Sequence, residues 1–405
     1  MLLLLLPKDG ISRMSFLRAD LTQFAAYKSP HPTEEEAHLV LDPLDTNESP
    51  IDLPADLKES LAQAYIEAIA ANRYPDGSHH ELKQAIIRYA IQSGKLKDSS
   101  ITLKNVTVGN GSDELIRSVL MATCLDDNGS ILVATPTFSM YGILAKTLGI
   151  TVHTTERTDS FEVDLAAMQS AIEKAKVSGP PVKAIFMVHP NSPTGNALTA
   201  QELDWLKQIP EDILVVVDEA YFEFSAHTTI AEALIRPNWL ILRTFSKAFR
   251  LAAHRVGYGI GHPNIITALE KLRLPYNLPS FSQAAAKAAL AHSDQLLTQI
   301  PTILSERDKV YQALSEHLHL KVWPSNSNFV YARLSDRGLT ALEETDQDKG
   351  LAKLFQKLKA KGTLIRHTGG GLRISIGTAA ENQRTLTNFQ RVLSEASLRH
   401  PAMSR

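Results

Sequence analysis

Cysteine is nearly absent. Cys124 is the only one in 405 residues, so no intrachain disulfide can form, and a reducing cytoplasm is the expected compartment. A surplus of either charge is missing too. The 42 Lys+Arg nearly balance 44 Asp+Glu, leaving a formal net charge of −2. No basic arm or polybasic run points to nucleic acid, and no long acidic tail is present. No apolar run is long enough to cross a bilayer. The leucines of residues 1–7 also lack the basic flank and small-residue cleavage site of a signal peptide. Globular patterning opens near Met14, and residues 1–13 are expected to be disordered or an over-extended start. Internal repeats and low-complexity tracts are absent as well.

What is present describes a large globular protein. Hydrophobic residues make up 44% of the chain, and the length is enough for a sizeable core in two lobes. Residues 1–50 read as an extension and arm, rich in Pro and His towards its end. Residues 51–270 form a large lobe that opens with two helices, near 54–71 and 81–93. From about residue 100, strands and helices alternate, which predicts an α/β fold with a largely parallel sheet. Strands are expected at 101–108, 130–134, 151–155, 183–188, 213–217, 239–242 and 255–260. The run Ile213-Leu214-Val215-Val216-Val217 is apolar throughout, as suits a central parallel strand. Residues 271–405 read as a long connecting helix, within 281–319, followed by a smaller α+β lobe. Thr199 with Glu202, and Thr378 with Glu381, have the spacing of capping boxes.

Chemistry concentrates just after strand ends, where open α/β sheets bind ligands. The run Arg243-Thr244-Phe245-Ser246-Lys247-Ala248-Phe249 leaves one such strand, and Arg255 follows eight residues after Lys247. A buried lysine can lose its proton and form a Schiff base with an aldehyde. Two hydroxyls, Thr244 and Ser246, with an arginine fork suit a phosphate dianion. Pyridoxal 5′-phosphate (PLP) carries both groups and acts as an electron sink. Taken alone, a Lys after Ser is usually a solvated loop residue, so the other required groups must appear upstream. They do. Gly109-Asn110-Gly111-Ser112-Asp113-Glu114 is a glycine-rich turn that opens a helix and can present backbone N–H groups to an anion. Asp218, ending an apolar strand, can keep a pyridine nitrogen protonated, although an Asp there is more often a helix cap. Tyr221 can donate to the phenolic oxygen of the cofactor, and Phe138 offers a flat face for its ring.

In combination these residues resemble the fold-type I PLP-dependent aminotransferases. The matching pieces are Tyr74-Pro75, Gly111-Ser112-Asp113-Glu114, Pro136-Thr137-Phe138, Asn191-Ser192-Pro193-Thr194-Gly195, Asp218-Glu219-Ala220-Tyr221, Ser246-Lys247 with Arg255, and Arg373. The likeness covers residues 20–395. Within that superfamily the chain is most similar to the histidinol-phosphate aminotransferase family, through Asn47-Glu48-Ser49-Pro50, Arg73-Tyr74-Pro75-Asp76, Arg243 to Phe249, and Leu372-Arg373-Ile374.

The resemblance implies a seven-stranded, mostly parallel sheet in the large domain and a smaller α+β domain. It implies Lys247 as the Schiff-base lysine and proton shuttle, with Asp218 and Tyr221 beside it. Ser112, Asp113, Thr244, Ser246 and Arg255 would hold the cofactor phosphate, Ser112 and Asp113 partly through backbone N–H groups. Tyr74 would reach the cofactor of a neighbouring subunit, making the working unit a homodimer with shared sites. Arg373 would clamp a carboxylate or phosphate of the substrate, with Arg366, Tyr27 and Asn47 at the same end. In many relatives the Asn that bonds the phenolic oxygen stands directly before Pro-Thr-Gly. Here Ser192 has that slot and Asn191 is one residue earlier, so Asn191 is the expected partner with Ser192 as the alternative.

The activity implied is transfer of an amino group from histidinol phosphate to 2-oxoglutarate, both small molecules. Histidinol phosphate has no carboxylate, so one site must take a phosphate in one half-reaction and carboxylates in the other, which calls for arginines. An aromatic or other amino-acid aminotransferase would share this machinery. A PLP lyase such as a threonine-phosphate decarboxylase would share the scaffold but release CO₂. A non-catalytic regulator is disfavoured by the intact Lys247.

Overall fold

The computed structural model describes residues 16–18, 20–21, 40–126 and 128–398. Residues 1–13 and Tyr27 lie outside the described residues. Among the first described residues, Arg18 and Asp20 pair side chain to side chain at 2.6 Å.

In chain order the strands are β1 (Asp42–Pro43), β2 (Val106–Asn110), β3 (Ser130–Thr135), β4 (Val152–Glu156), β5 (Val182–Val188), β6 (Leu214–Asp218), β7 (Trp239–Thr244) and β8 (Val256–Gly261). They continue with β9 (Leu320–Trp323), β10 (Phe329–Leu334), β11 (Thr363–Leu364), β12 (Arg366–Thr368) and β13 (Gly371–Ser375). Seven of them form one sheet in the order β2-β8-β7-β6-β5-β3-β4. Strand β8 runs antiparallel to both neighbours, and every other pair is parallel. The expected mostly parallel seven-stranded sheet is therefore present.

The continuous apolar strands are explained by burial on both faces. Along β5, Ala184, Phe186 and Val188 enter one core, while Ile185 and Met187 enter the other. The helix Gly111–Cys124 contributes Leu115, Ile116 and Val119 to the first core, and the helix Leu165–Ser178 contributes Met168 and Ile172 to the second.

A smaller antiparallel sheet has the order β12-β13-β10-β9. The helix Gln347–Ala360 packs on it through Leu351, Leu354 and Leu358, and the helix Ala379–Leu398 adds Phe389 and Val392 to the same core. Strand β1, from the arm, pairs parallel with β11, Asp42 opposite Thr363. Both expected capping boxes form. Glu202 N donates to Thr199 Oγ1 at 3.1 Å, and Glu381 N to Thr378 Oγ1 at 3.3 Å.

Two local expectations differ from what is found. Residues 281–319 hold three helices, Ser280–Ala291, Ser293–Leu297 and Ile300–Ser315. Pro301 lies in the first turn of the third, where its missing N–H does no harm but where a continuing helix would lose a hydrogen bond. The strand expected from 101 starts only at Val106. Thr102 N and Oγ1 both donate to Asn105 Oδ1, at 3.0 and 2.8 Å, and wind Leu103–Asn105 into a short 3₁₀ turn. Among the described residues no helix is long and apolar enough to cross a membrane.

Candidate active site

Strand order brings the chemistry together. β6 and β7 are neighbours, with Asp218 opposite Leu242, so Asp218 and the turn after Thr244 leave the sheet side by side. β8 lies next to β7 and starts directly after Arg255, and β2 lies next to β8 and ends at the Gly111 turn. Four segments far apart in sequence thus converge at one sheet edge.

The turn from β2 into the helix Gly111–Cys124 is held tightly. Gly111 has φ +72° and its N–H donates to Arg255 O at 2.8 Å. A Cβ on Gly111 would lie 2.6 Å from Arg255 Nη2, and one on Gly257 would lie 2.5 Å from Ser112 N. Both positions therefore need glycine, and the helix start, with Ser112 and Asp113, sits against the Arg255 guanidinium. Arg255 Nη2 donates to Asp113 Oδ2 at 3.2 Å and Nη1 to Ser246 Oγ at 3.3 Å. Ser246 Oγ is 3.0 Å from Thr244 Oγ1, and both residues are buried. Backbone N–H groups at a helix start, two hydroxyls and a guanidinium make a donor set suited to a phosphate. All five residues expected there, Ser112, Asp113, Thr244, Ser246 and Arg255, are in this cluster.

Lys247 follows it. Its Nζ donates to Thr46 O at 2.7 Å. Burial pushes the ammonium below its usual range, Arg373 acts the same way and Tyr221 opposes it. An amine that loses its proton more easily is a better nucleophile.

Asp218, only 3% exposed, accepts from Tyr141 Oη at 2.7 Å through Oδ2 and from Ala220 N at 3.1 Å through Oδ1. Burial pushes its carboxyl up to about 6, and a cation beside it would favour the ionised form. Tyr141 was not picked out by sequence reasoning. It stands three residues after Phe138, and the two rings meet edge to face at 5.4 Å.

Tyr221 is buried, and its hydroxyl accepts from Asn47 Nδ2 at 2.9 Å. Asn47 is fixed in turn. Its N–H donates to Ser375 Oγ at 2.9 Å, and its carbonyl accepts from Asn328 Nδ2 at 3.1 Å. The arm, the large sheet and the small sheet are thereby joined at Tyr221. Arg373 donates to Asp45 O at 2.6 Å and to Ser192 Oγ at 3.1 Å, and Arg366 stands opposite it across β12 and β13. Asp45 is a second residue that sequence reasoning missed. Its carboxylate is buried beside these arginines, one oxygen has no hydrogen-bond partner, and burial pushes its pKa up.

Asn191 and Tyr74 take no part in the contacts around Lys247 within this chain. The Asn191 amide is consumed by neighbours beside the large sheet. It accepts from Thr137 Oγ1 at 3.1 Å and Arg157 Nη2 at 3.2 Å, and donates to Pro136 O at 3.1 Å and Thr194 Oγ1 at 2.6 Å. Ser192, not Asn191, reaches the arginine end of the site. Tyr74 is 81% exposed and stacks on Tyr276 at 4.6 Å, so it joins none of the contacts around Lys247 within its own chain.

Comparison with known proteins agrees with this geometry. The sequence model of the family "Aminotransferase class I and II" matches residues 43–389. The chain is 57% identical over 378 residues to the histidinol-phosphate aminotransferase of Trichodesmium erythraeum, covering 93% of this chain and 99% of that one. It is 55% identical to histidinol-phosphate aminotransferase 2 of a Nostoc species, covering 95% and 99%. Among solved structures, the Sinorhizobium meliloti histidinol-phosphate aminotransferase in complex with pyridoxal-5′-phosphate has the same fold. Its TM-score is 0.78 at 23% identity, over 94% of this chain and 98% of that one. A chain with this sheet edge and this likeness over nearly its whole length belongs to the class I and II aminotransferase family.

Proposed function

We propose that this chain is a PLP-dependent transaminase that moves the amino group of histidinol phosphate to 2-oxoglutarate, yielding imidazole acetol phosphate and L-glutamate in histidine biosynthesis. The cyanobacterial relatives carry that activity in their names, and the two compared cover 93% and 95% of this chain. The observation that carries the reading is the pair of arginines, Arg366 and Arg373, facing each other across β12 and β13. Cationic forks suit both a phosphate and carboxylates.

The residues fit the cofactor. Gly111 and Gly257 let the start of the helix Gly111–Cys124 pack closely against Arg255 and β8, which gathers the donors a phosphate needs. Ser112, Asp113, Thr244, Ser246 and Arg255 would bind its phosphate, Phe138 would lie against its ring, and Asp218 would hold a proton on its ring nitrogen. Tyr221 would donate to its phenolic oxygen. When bound, PLP supplies an electron sink. Lys247, with its pKa lowered by burial, would accept and hold the proton that leaves the substrate carbon. Ser192 stands where it can back up Arg373.

The working unit is a homodimer in this reading, with Tyr74 lent to the partner. Its exposed, flat-stacked ring supports that role. A cytoplasmic location fits the lone buried Cys124. The test is a donor screen with 2-oxoglutarate and purified, PLP-loaded chain, reading glutamate. Histidinol phosphate should give the highest kcat/KM. A higher value for an aromatic amino acid would reassign the substrate and leave the transaminase chemistry standing.

A further inference from the structure

A cavity lies beside the candidate site, with Phe138 in its lining. Its volume is about 1000 Å³, large enough for a small organic ligand. Lys146 and Thr154 stand on its large-lobe wall, Lys321, Trp323 and Arg333 on its small-lobe wall. The turn Thr368-Gly369, which joins β12 to β13, closes one side.

The lining is rich in cations. Lys146, Arg157, Lys321 and Arg333 stand against two carboxylates, Glu156 and Asp159. Arg157 is already spent on Ala134 O, Pro136 O, Phe161 O and Asn191. The other three take part in none of the ion pairs among the described residues. Arg333 Nε is buried with no hydrogen-bond partner, and the guanidinium carbon sits 5.1 Å from the Phe161 ring centre. Lys321 Nζ sits 5.0 Å from the Trp323 ring centre. Cations gathered around one hollow repel each other and raise the local concentration of anions.

Arg333 also touches the hairpin. Its Nη2 donates to Gly369 O at 3.2 Å, beside Tyr331 Oη at 2.5 Å from the same oxygen. The turn has little slack. A Cβ on Gly369 would lie 2.8 Å from Pro136 and 2.9 Å from Pro193. The strands on either side of this turn carry Arg366 and Arg373.

We propose that this cavity binds a small organic polyanion, a phosphate ester or a di- or tricarboxylate, on Lys146, Lys321 and Arg333, and that its occupancy is felt at Arg366 and Arg373. An anion that draws the Arg333 guanidinium towards itself removes one of the two donors to Gly369 O, leaving Tyr331 as the other, and so weakens the anchoring of the turn between Arg366 and Arg373. The binding site stands on its own geometry; its effect on substrate affinity rests on the proposed transaminase function.

The experiment titrates the PLP-loaded chain with citrate and, separately, pyrophosphate, by calorimetry at fixed ionic strength. At least one probe should bind saturably. Which probe binds tells a carboxylate ligand from a phosphate ester. Affinity should fall at least about tenfold in the Lys146→Met/Lys321→Met double variant, which loses two charge contacts, and hold in Arg373→Met. With the probe saturating, KM for the amino donor should rise about twofold or more with kcat little changed. Heat that vanishes in Arg373→Met but persists in the lysine double variant places the anion at the candidate site and overturns the proposal, as does the lack of saturable heat with both probes. Binding that leaves KM unmoved overturns the coupling to the hairpin. Should the chain fail to transaminate, the calorimetric arm still reads the site.

Discussion

Arg243 Nε donates to Glu219 Oε2 at 3.0 Å, with both side chains shut away from solvent, 1% and 0% exposed. Each charge is satisfied further. Glu219 Oε1 accepts from Thr229 N at 2.6 Å and Thr229 Oγ1 at 3.0 Å, and the Arg243 guanidinium lies 3.7 Å from the Phe222 ring centre. The pair ties the exits of β6 and β7, one residue after Asp218 and four before Lys247. It fixes the distance between the candidate ring-nitrogen anchor and the candidate nucleophile.

Removing one partner strands a buried charge. Arg243→Met should therefore cost about 3–5 kcal/mol of stability. Adding Glu219→Met to it should recover a large part of that loss, since a well-packed apolar pair replaces the ions. Urea denaturation of the two single variants and the double checks this. Additive losses would show that the pair does not act as a unit.

Lys247→Ala should abolish covalent trapping of PLP by borohydride while the phosphate cluster still binds the cofactor. Loss of proton transfer alone lowers the rate by about 10²–10⁴-fold. Mass spectrometry of the reduced protein reads the trapping. A covalent adduct that survives in the variant would remove Lys247 from its role.

Asp218 gives a pH signature in the cofactor-free chain. Its folded pKa is raised to about 6 from a usual 3.8. Below the usual value the group is protonated in both folded and unfolded chains and contributes nothing. As pH rises through the window up to the folded value, the unfolded chain loses its proton first, so the folded state is progressively disfavoured. Above it the full cost, about 3 kcal/mol for about two units, is present. The stability of the cofactor-free protein relative to Asp218→Asn should thus fall by about that amount between pH 4 and pH 8. Denaturation of both proteins across the range measures it. Parallel curves would mean that Asp218 does not titrate there.

Tyr74 and Lys247 can be separated between chains. A Tyr74→Ala subunit mixed with a Lys247→Ala subunit gives heterodimers in which one site has both residues intact. Random reassociation of equal amounts should restore about a quarter of wild-type activity. No recovery, although heterodimers form, would make Tyr74 a surface residue only.

Much of this was readable in the sequence because it is local. The apolar runs of β6 and β7 must be buried on both faces. Thr244, Ser246 and Lys247 leave β7 within four residues, so one turn presents them together. What escaped depends on distant partners. The Asn191 amide turns inward because Arg157, 34 residues away, and Thr137 claim it, and nothing in Asn-Ser-Pro-Thr-Gly reveals that. Asp45 acquires its place beside Arg373 only when β1 from the arm pairs with β11. Tyr141 carried a weak local signal, one helical turn beyond Phe138, but its hydroxyl meets Asp218 only across three strands of the sheet.

The central claim is that this site exchanges an amino group between histidinol phosphate and 2-oxoglutarate. The most direct measurement incubates the purified, PLP-loaded chain with both compounds and quantifies products by mass spectrometry. The account predicts glutamate and imidazole acetol phosphate in equal amounts, and neither from Lys247→Ala. Release of CO₂ from threonine phosphate with no glutamate formed from any donor would contradict it.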